Sequence, residues 1–391
     1  MRCKDPAELD DDDGGPRAIP AEILRTQSRH FRYVSIWHPL PIPLQCTHIK
    51  ELYLQGEGFL SHADLIFSNS QLSNLMLDFG DGQRYSDVQH ALEAVRQLKV
   101  FCLRNLLFKT PDQVTQVLNN NSASLQELDF HIPYGISGFL GCEPLTRVRR
   151  IGFSGSWTSN MGMLELIRLC PNLEILKVSG RECPVPQLAK SIRECCPKVA
   201  IIRCDLGGLS EDESMLLVQA PSRLVELDSI LHSFSTRICD ALLMRHASWL
   251  ERLNLSFFDG AKAAMEGTNR ILASCPNLRS LAMFFAGSCS SQEYAPSLWA
   301  NNDPWICTQL ETLDLNGCFF EDLSSGSADD VCRSQKEAEA EAKFRDDLSS
   351  HGWSVSATPP PGAMAGFRLL SVVRRYEILR RVWDMECAFR R

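Results

Sequence analysis

Long hydrophobic runs are missing from this chain of 391 residues, and so is an excess of positive charge. No run of eighteen apolar residues occurs, so no transmembrane helix is expected. The opening residues, MRCKDPAELDDDDGG, lack the apolar core of a secretory signal peptide. Lys and Arg number 40 against 48 Asp and Glu, and the net charge of −8 disfavours nucleic-acid binding. We therefore expect a cytoplasmic or nuclear protein with neither membrane nor nucleic-acid partners.

Motifs of the common enzyme and cofactor sites are missing as well. The sequence has no G-x-x-x-x-G-K-S/T or G-x-G-x-x-G for nucleotides, no H-E-x-x-H for zinc and no G-x-S-x-G for a nucleophilic serine. His131 and His246 lie in or near apolar segments, and we interpret both as surface histidines. An enzyme within 321–361 is disfavoured because that segment is poor in His and in apolar residues. We expect no catalytic site, no cofactor and no metal ion.

What the sequence does contain is a repeated pattern, clearest in CPNLEILKVSG. Leu173, Leu176 and Val178 follow the spacing L-x-x-L-x-L, and strict alternation places Leu176 and Val178 on one face of a short strand. The preceding MGMLELIRLC has apolar residues at helical spacing. The unit is therefore a helix, a tight turn and a half-buried strand, and it needs copies on both sides to bury its apolar face.

Copies of this unit run along most of the chain. From Ile49 to Leu278 the successive core positions are separated by 23 to 28 residues, a spacing typical of leucine-rich repeats. We predict an α/β fold: a leucine-rich-repeat solenoid, the ribonuclease-inhibitor-like horseshoe, with a parallel sheet on its concave side and helices on its convex side. The predicted core positions are Phe31, Ile49, Leu72, Leu98, Leu125, Val148, Leu173, Val199, Leu224, Leu250, Leu278 and Leu310.

Helix-start signals support true helices between the strands. The pattern S/T-x-x-E/Q/D typical of a capping box occurs before four of the predicted helices. The pairs are Ser61/Asp64, Ser86/Gln89, Thr110/Gln113 and Ser210/Glu213.

Sixteen cysteines are present, yet none form a C-x-x-C pair and the histidines are scattered, so a zinc site is not expected. Five cysteines share one position, three residues before a predicted core residue. A small, weakly polar side chain suits a helix end packed against its neighbour, so we predict buried thiols. The five are Cys46, Cys170, Cys196, Cys275 and Cys307.

Composition changes mark the domain boundaries. Residues 1–18 are acidic and Gly-rich, and we expect a disordered tail. The repeats occupy 19–320, and 321–365 is a polar, partly disordered insertion that ends near three consecutive prolines. Apolar residues at helical spacing in 366–391 predict a C-terminal helical cap that docks on the last repeat.

The strand pattern also predicts an exposed surface. Counted from each core position, residues +3 and +5 point into the core, so residues +2, +4 and +6 point out of the concave face. Rows of exposed polar and aromatic side chains on a rigid sheet suit the recognition of a protein. The alternative is that neighbouring charges, Glu127 with Arg150 and Arg203 with Asp228, only neutralise each other. The predicted partner-binding residues are Tyr33, Trp37, Tyr53, Arg104, Glu127, Asp129, Arg150, Lys177, Arg203 and Asp228.

With CPNLEILKVSG, CPKVAIIRCD, CPNLRSLAMF and CTQLETLDLNGC, the chain resembles the leucine-rich-repeat part of F-box proteins, especially the fungal ones, over 28–317. In that family an F-box binds the Skp adaptor of a cullin ubiquitin ligase, and the repeats hold the substrate. The segment AIPAEIL, Ala18 to Leu24, looks like the opening of an F-box. The rest of that domain does not fit before Phe31, so we expect the F-box to be absent or vestigial.

The resulting hypothesis is a non-enzymatic scaffold that binds a protein on its concave face, as a substrate-recognition subunit of a cullin-type ubiquitin ligase. The resemblance implies partners in the Skp–cullin machinery. The alternative is a regulator of a small GTPase, because GTPase-activating proteins of Ran have similar repeats.

Overall fold

The computed structural model describes residues 2–3, 30–36, 46–56, 64–79, 89–105, 112–131, 139, 141–155, 161–180, 183–285, 306–316, 355–356 and 371–373. Within them strands and helices alternate along the chain, so the α/β class is as predicted. The chain divides into two compact units. The first contains 1–206 and 220–222, and the second contains 207–219 and 223–391.

In the first unit every strand pairs in parallel with the next strand along the chain. The strands are β1 (Arg2–Cys3), β2 (Tyr33–Ile36), β3 (Glu51–Gln55), β4 (Asn74–Asp78), β5 (Val100–Arg104), β6 (Glu127–His131), β7 (Arg150–Ser154), β8 (Ile175–Ser179) and β9 (Ile201–Leu209), whose last three residues belong to the second unit. The helices are α1 (Asp64–Ser68), α2 (Gln89–Ala94), α3 (Asp112–Asn121), α4 (Met161–Arg168) and α5 (Val185–Cys195).

The second unit continues the same alternation and ends in two antiparallel strands. Its helices are α6 (Glu211–Gln219), α7 (Thr236–His246) and α8 (Ala261–Ser274). Its parallel strands are β10 (Glu226–Ser233), β11 (Arg252–Asp259), β12 (Ser280–Phe285) and β13 (Thr312–Asn316), and they are followed by β14 (Val355–Ser356) and β15 (Ser371–Val373).

The predicted phase of the repeat is confirmed. Each of the strands β2 to β13 begins two residues after a predicted core position. Eleven of the twelve core positions are buried, and the remaining one, Phe31, is half-buried. On β8, Leu176 and Val178 are buried while Ile175, Lys177 and Ser179 are half-exposed, which is the alternation expected of a strand with one covered face.

Glycines turn the chain at the carboxyl ends of several strands. At position +7 of a repeat the backbone N–H donates to the carbonyl of residue +6 in the next repeat, as Gly180 does to Asp205 at 2.8 Å. Gly180 has φ of 124°, and a Cβ there would lie 1.8 Å from the carbonyl oxygen of Gly155. Only glycine fits this approach. Asn105 holds the same position after β5, also at positive φ (56°).

The eight helices of the described residues are α-helices, as the capping signals predicted for the segments between the strands. The capping box of α6 is present: the Glu213 N–H donates to Ser210 Oγ at 3.3 Å, and the Ser210 N–H donates to Glu213 Oε2 at 3.0 Å. Ser61, Ser86 and Thr110, which open the other three predicted boxes, lie outside the described residues.

The five phased cysteines are buried, which confirms their predicted environment. Burial raises the pKa of the Cys196 and Cys275 thiols to about 12, so both are neutral at physiological pH. Cys196 Sγ also donates to the carbonyls of Ile167 at 3.2 Å and Cys170 at 3.4 Å. The thiol therefore links one helix end to the preceding one besides filling space.

Asparagine and histidine side chains make equivalent links elsewhere. Asn121 Oδ1 accepts from the Leu98 N–H at 2.9 Å, and its amide donates to the carbonyls of Val95 at 3.1 Å and Val117 at 2.8 Å. Asn69 repeats this arrangement with Ile49, Cys46 and Leu65. We call Asn69, Asn121, Cys196 and His246 the helix-end links.

The prediction that His246 lies at the surface is wrong. His246 is fully buried at the end of α7, where Nδ1 accepts from the Leu224 N–H at 3.1 Å and Nε2 donates to the Val218 carbonyl at 2.9 Å. Both ring nitrogens satisfy backbone groups, which offsets the cost of burying a polar ring. Apolar spacing carries no sign of such a polar link.

The C-terminal segment differs from its prediction where the structure describes it. Ser371–Val373 lies within the predicted helical cap of 366–391, yet it forms β15, antiparallel to β13. The edge of β13 presents backbone groups that need partners, and β-branched Val372 and Val373 favour a strand. Apart from β1, β14 and β15, the predicted tail (1–18), insertion (321–365) and cap lie outside the described residues.

Candidate functional site

The candidate site is the open face of the sheet, which we define as the side chains at positions +2, +4 and +6 of each repeat. Burial alternates along strands such as β3, where Leu52 and Leu54 are buried and Glu51 is exposed, whereas on β5 and β7 position +4 is also buried. Parallel register aligns equivalent positions of successive strands at about 4.8 Å. From β3 to β9, position +4 thus forms one row: Tyr53, Met76, Cys102, Asp129, Gly152, Lys177 and Arg203.

At the β3–β5 end of this row, polar groups are engaged with one another. The Tyr53 hydroxyl shares its hydrogen bond between Gln55 Oε1 at 2.9 Å and Asp78 Oδ2 at 3.4 Å. Asn105 Nδ2 donates to Asp78 Oδ1 at 2.7 Å. Burial, together with Asp78, raises the pKa of Tyr53 to about 12. The Tyr53 hydroxyl therefore connects β3 to β4 on the open face through Asp78.

Asp129 on β6 is the centre of a second cluster. Its Oδ2 lies 3.9 Å from Arg104 Nη2 and 3.7 Å from Cys102 Sγ. Gly152 on the neighbouring strand leaves room for it, since a Cβ there would come within 2.4 Å of Asp129 Oδ1. Burial raises the pKa of Cys102 to about 12, and the charge of Asp129 contributes to this increase. The thiol is therefore neutral and can donate a hydrogen bond.

One of the two ion pairs predicted between neighbouring strands, Glu127 with Arg150, is present. Arg150 Nη1 lies 3.5 Å from Glu127 Oε2, and both side chains are about 40% exposed (38% and 42%). A pair with this exposure contributes at most about 1 kcal/mol, because solvent screens it. Both side chains remain partly exposed to solvent while they pair with each other.

His131 lies at position +6, beside Ser154 of the next strand. Its Nδ1 and the Ser154 hydroxyl form a hydrogen bond. Burial lowers the pKa of His131, and the nearby Arg104 lowers it further. The ring is half-buried on the open face, so His131 is a surface histidine that also makes a hydrogen bond to the next strand.

Lys177 and Arg203 are direct neighbours, one on β8 and one on β9. Both are half-buried. Burial lowers the pKa of Lys177, and Arg150 and Arg203 lower it further against the opposing effect of Asp129 and Glu127. Two cations placed side by side on a sheet repel each other, so the fold gains nothing from this pairing.

Eight of the ten predicted site residues lie on the open face of the first unit: Tyr33, Tyr53, Arg104, Glu127, Asp129, Arg150, Lys177 and Arg203. Asp228 lies on the open face of the second unit, where Asn254 donates to it at 2.9 Å. Trp37 lies outside the described residues.

Sequence reasoning missed Asp78, Cys102, Asn105 and Gly152 as parts of this surface. Asn105 carried a usable signal, because it occupies position +7, where Gly56, Gly155 and Gly180 stand in other repeats. Asn is the residue other than Gly that most readily adopts positive φ. Gly152 carried a weaker one, as a glycine within a strand marks close approach of another group.

Neither a scan against protein-family models nor a search of curated proteins found a match for this chain. Among the described residues, no group of three or more His, Cys, Asp or Glu side chains is placed to hold a metal ion. Within that same part of the chain, no helix has the length and apolar character to cross a membrane.

Proposed function

We propose that this chain is a leucine-rich-repeat protein of the ribonuclease-inhibitor-like horseshoe type and that it binds a protein partner on the open face. Parallel strands that all start two residues after a core position, with α-helices between them, support the repeat class. The observation that carries the binding role is the row of half-exposed charged side chains across β6–β9. A rigid sheet holds such side chains in place before a partner arrives, which lowers the entropic cost of binding.

The finer part of the proposal is the role of substrate receptor in a cullin-type ubiquitin ligase, with Skp–cullin partners. It rests on the resemblance to the repeats of F-box proteins and on AIPAEIL at 18–24, which lies outside the described residues. In this role the open face holds the protein to be modified, and the chain itself performs no chemistry.

A steric block on each side of the sheet tests the binding role. Ser179→Trp places a large side chain on the open face of β8, and Gln187→Trp places the same side chain on the exposed surface of α5. The full chain and both variants are used to capture proteins from cell extract, which are quantified by mass spectrometry. We expect wild type and Gln187→Trp to recover the same set and Ser179→Trp to lose part of it.

Melting temperature verifies that both variants are folded. If folded Ser179→Trp recovers everything that wild type recovers, the open face is not the binding surface. Recovery of Skp and a cullin supports the ligase role, and recovery of a small GTPase without them contradicts it.

A further inference from the structure

The carboxylate of Asp314, on the open face of the second unit, lacks a hydrogen-bond donor. Asp314 stands at position +4 of β13, next to the inward and buried Leu313. Its Oδ1 is closed to solvent, and no described residue donates a hydrogen bond to it. Burial raises the pKa of Asp314, and no cation among the described residues opposes that effect. A buried acceptor without a donor costs free energy and is rare in folded proteins, so it requires an explanation.

Two donors on the strands nearby are engaged elsewhere. Arg252 on β11 lies 2.5 Å from Glu226 on β10, and β10 is on the far side of β11 from β13. The Thr312 hydroxyl donates to Ser280 Oγ at 2.6 Å. Neither donor is therefore directed at Asp314.

Ala282 leaves room beside this carboxylate. It is the register partner of Asp314 on β12, it is half-exposed, and its side chain is the shortest at position +4 of strands β10 to β13. Phe284 follows two residues later on the same face, with 41% of its surface exposed. Adjacent strands are about 4.8 Å apart, and residues two apart along a strand are separated by about 6.6 Å. One long side chain lying over Ala282 can therefore reach both the carboxylate and the ring.

A cation suits both of these contacts. The carboxylate attracts it by charge, and an aromatic ring attracts it through the negative potential of its face. In Lys and Arg the charged group ends an apolar stem, which can pack on an exposed ring.

The apolar surface continues beyond this position. Phe258 on β11 is 44% exposed and stands two residues after Ser256, the register partner of Phe284. Exposed apolar patches on a folded chain mark sites of interaction with other proteins. A protein segment can cover Phe258 with an apolar side chain next to its cation, whereas an inorganic cation cannot.

We infer that Ala282, Phe284 and Asp314 bind a Lys or Arg side chain of a protein segment and that a neighbouring apolar residue of this segment covers Phe258. The cation meets Asp314 on its half-exposed side and neutralises the charge that both carboxylate oxygens share. This assignment depends on the proposed binding role of the open face and names the chemistry of its partner. Acidic segments are repelled at the same position.

Selection of a random-peptide display library on the full chain tests the inference. Wild type is expected to enrich peptides with one conserved Lys or Arg next to an apolar residue. Asp314→Asn is expected to enrich no basic position and to bind the wild-type peptides about tenfold or more weakly. Phe284→Leu keeps an apolar side chain but removes the ring, and it should also weaken binding of these peptides. Wild-type affinity should fall as salt is added.

The matched control is Glu266→Gln, which removes one negative charge from the exposed surface of α8. It should bind the wild-type peptides as tightly as wild type does. Melting temperature separates binding from folding. Because Asp314 Oδ1 accepts no hydrogen bond from the described residues, Asp314→Asn should melt at or above the wild-type temperature.

Four results would each overturn the inference: a lower melting temperature of Asp314→Asn, enriched peptides without a basic position, no enrichment, or equal binding of the peptides by wild type and Asp314→Asn. A partner captured by wild type and lost from Ser179→Trp would leave the proposed function standing in each of these cases.

Discussion

At the residue scale, His246 shows how a polar side chain can stabilise an apolar core. Its neutral ring accepts a backbone hydrogen bond at Nδ1 and donates one at Nε2. Protonation would place a hydrogen on Nδ1, facing the Leu224 N–H, and would leave two donors opposed. Burial lowers the pKa of His246, as does Arg245, so the folded state holds the neutral form.

Stability should therefore depend on pH through His246. The pKa of this histidine in the unfolded chain is near 6.5, and in the folded chain it is lower. As pH falls from 6.5 toward the folded value, the unfolded state gains a proton that the folded state does not bind. The free energy of unfolding then decreases, with a slope of at most about 1.4 kcal/mol per pH unit.

Urea unfolding of wild type and His246→Gln between pH 8 and pH 5.5 measures this effect. We expect the variant to lose less stability over that window, because Gln can donate and accept but does not titrate. His48→Gln, at an exposed position, is the control and should keep the wild-type dependence. A wild-type profile as flat as that of His246→Gln would contradict the account of this histidine.

At the element scale, the helix-end links connect neighbouring repeats through side-chain hydrogen bonds. The alternation of apolar residues in the strands does not provide these connections. Each link makes hydrogen bonds to backbone groups at or near a helix end, where several N–H and carbonyl groups have no partner within the helix. Asn121 satisfies one N–H and two carbonyls from within the core. Removal of such a side chain leaves a buried donor without an acceptor.

We expect Asn121→Ala to lower the free energy of unfolding by about 1–3 kcal/mol. Asn120→Ala is the matched control, because Asn120 is the preceding residue in α3, is half-buried and makes one side-chain hydrogen bond, to the Glu93 carbonyl. Both substitutions replace Asn by Ala in the same helix, so their effects on helix propensity are similar. The difference between their free energies of unfolding, measured by chemical denaturation, therefore reports the contribution of the Asn121 link. A loss at Asn120 equal to or above that at Asn121 would show that the link contributes nothing.

Elements were predictable from the sequence where alternation determines them. Leu173, Leu176 and Val178 define the position and inner face of β8, because each must be buried for the strand to have a core side. The lateral contacts of Asp129 and the link made by His246 were not predictable. They depend on which side-chain rotamers meet across 22 to 28 residues of sequence, and a residue pattern does not contain that information. The prediction of a helix at Ser371–Val373 also failed. Its apolar residues have helical spacing, but the backbone groups at the edge of β13 pair with this segment as a strand.

At the scale of the whole molecule, one rule relates sequence to both core and surface. The same alternation that buries Leu176 turns Lys177 outward, and it recurs in the strands of both units. The core thus depends on one side of each strand, so residues on the other side can differ from repeat to repeat without loss of the core. The central claim is that a protein partner occupies the outward side.

Hydroxyl-radical footprinting of the chain, alone and with the partner captured by wild type, tests that claim most directly. Ile175 and Ile201 stand side by side on the open face next to Lys177 and Arg203, and Met244 is an exposed side chain on α7. The account predicts that oxidation of Ile175 and Ile201 decreases in the complex while oxidation of Met244 is unchanged. Unchanged oxidation of both isoleucines, with protection of Met244, would contradict it.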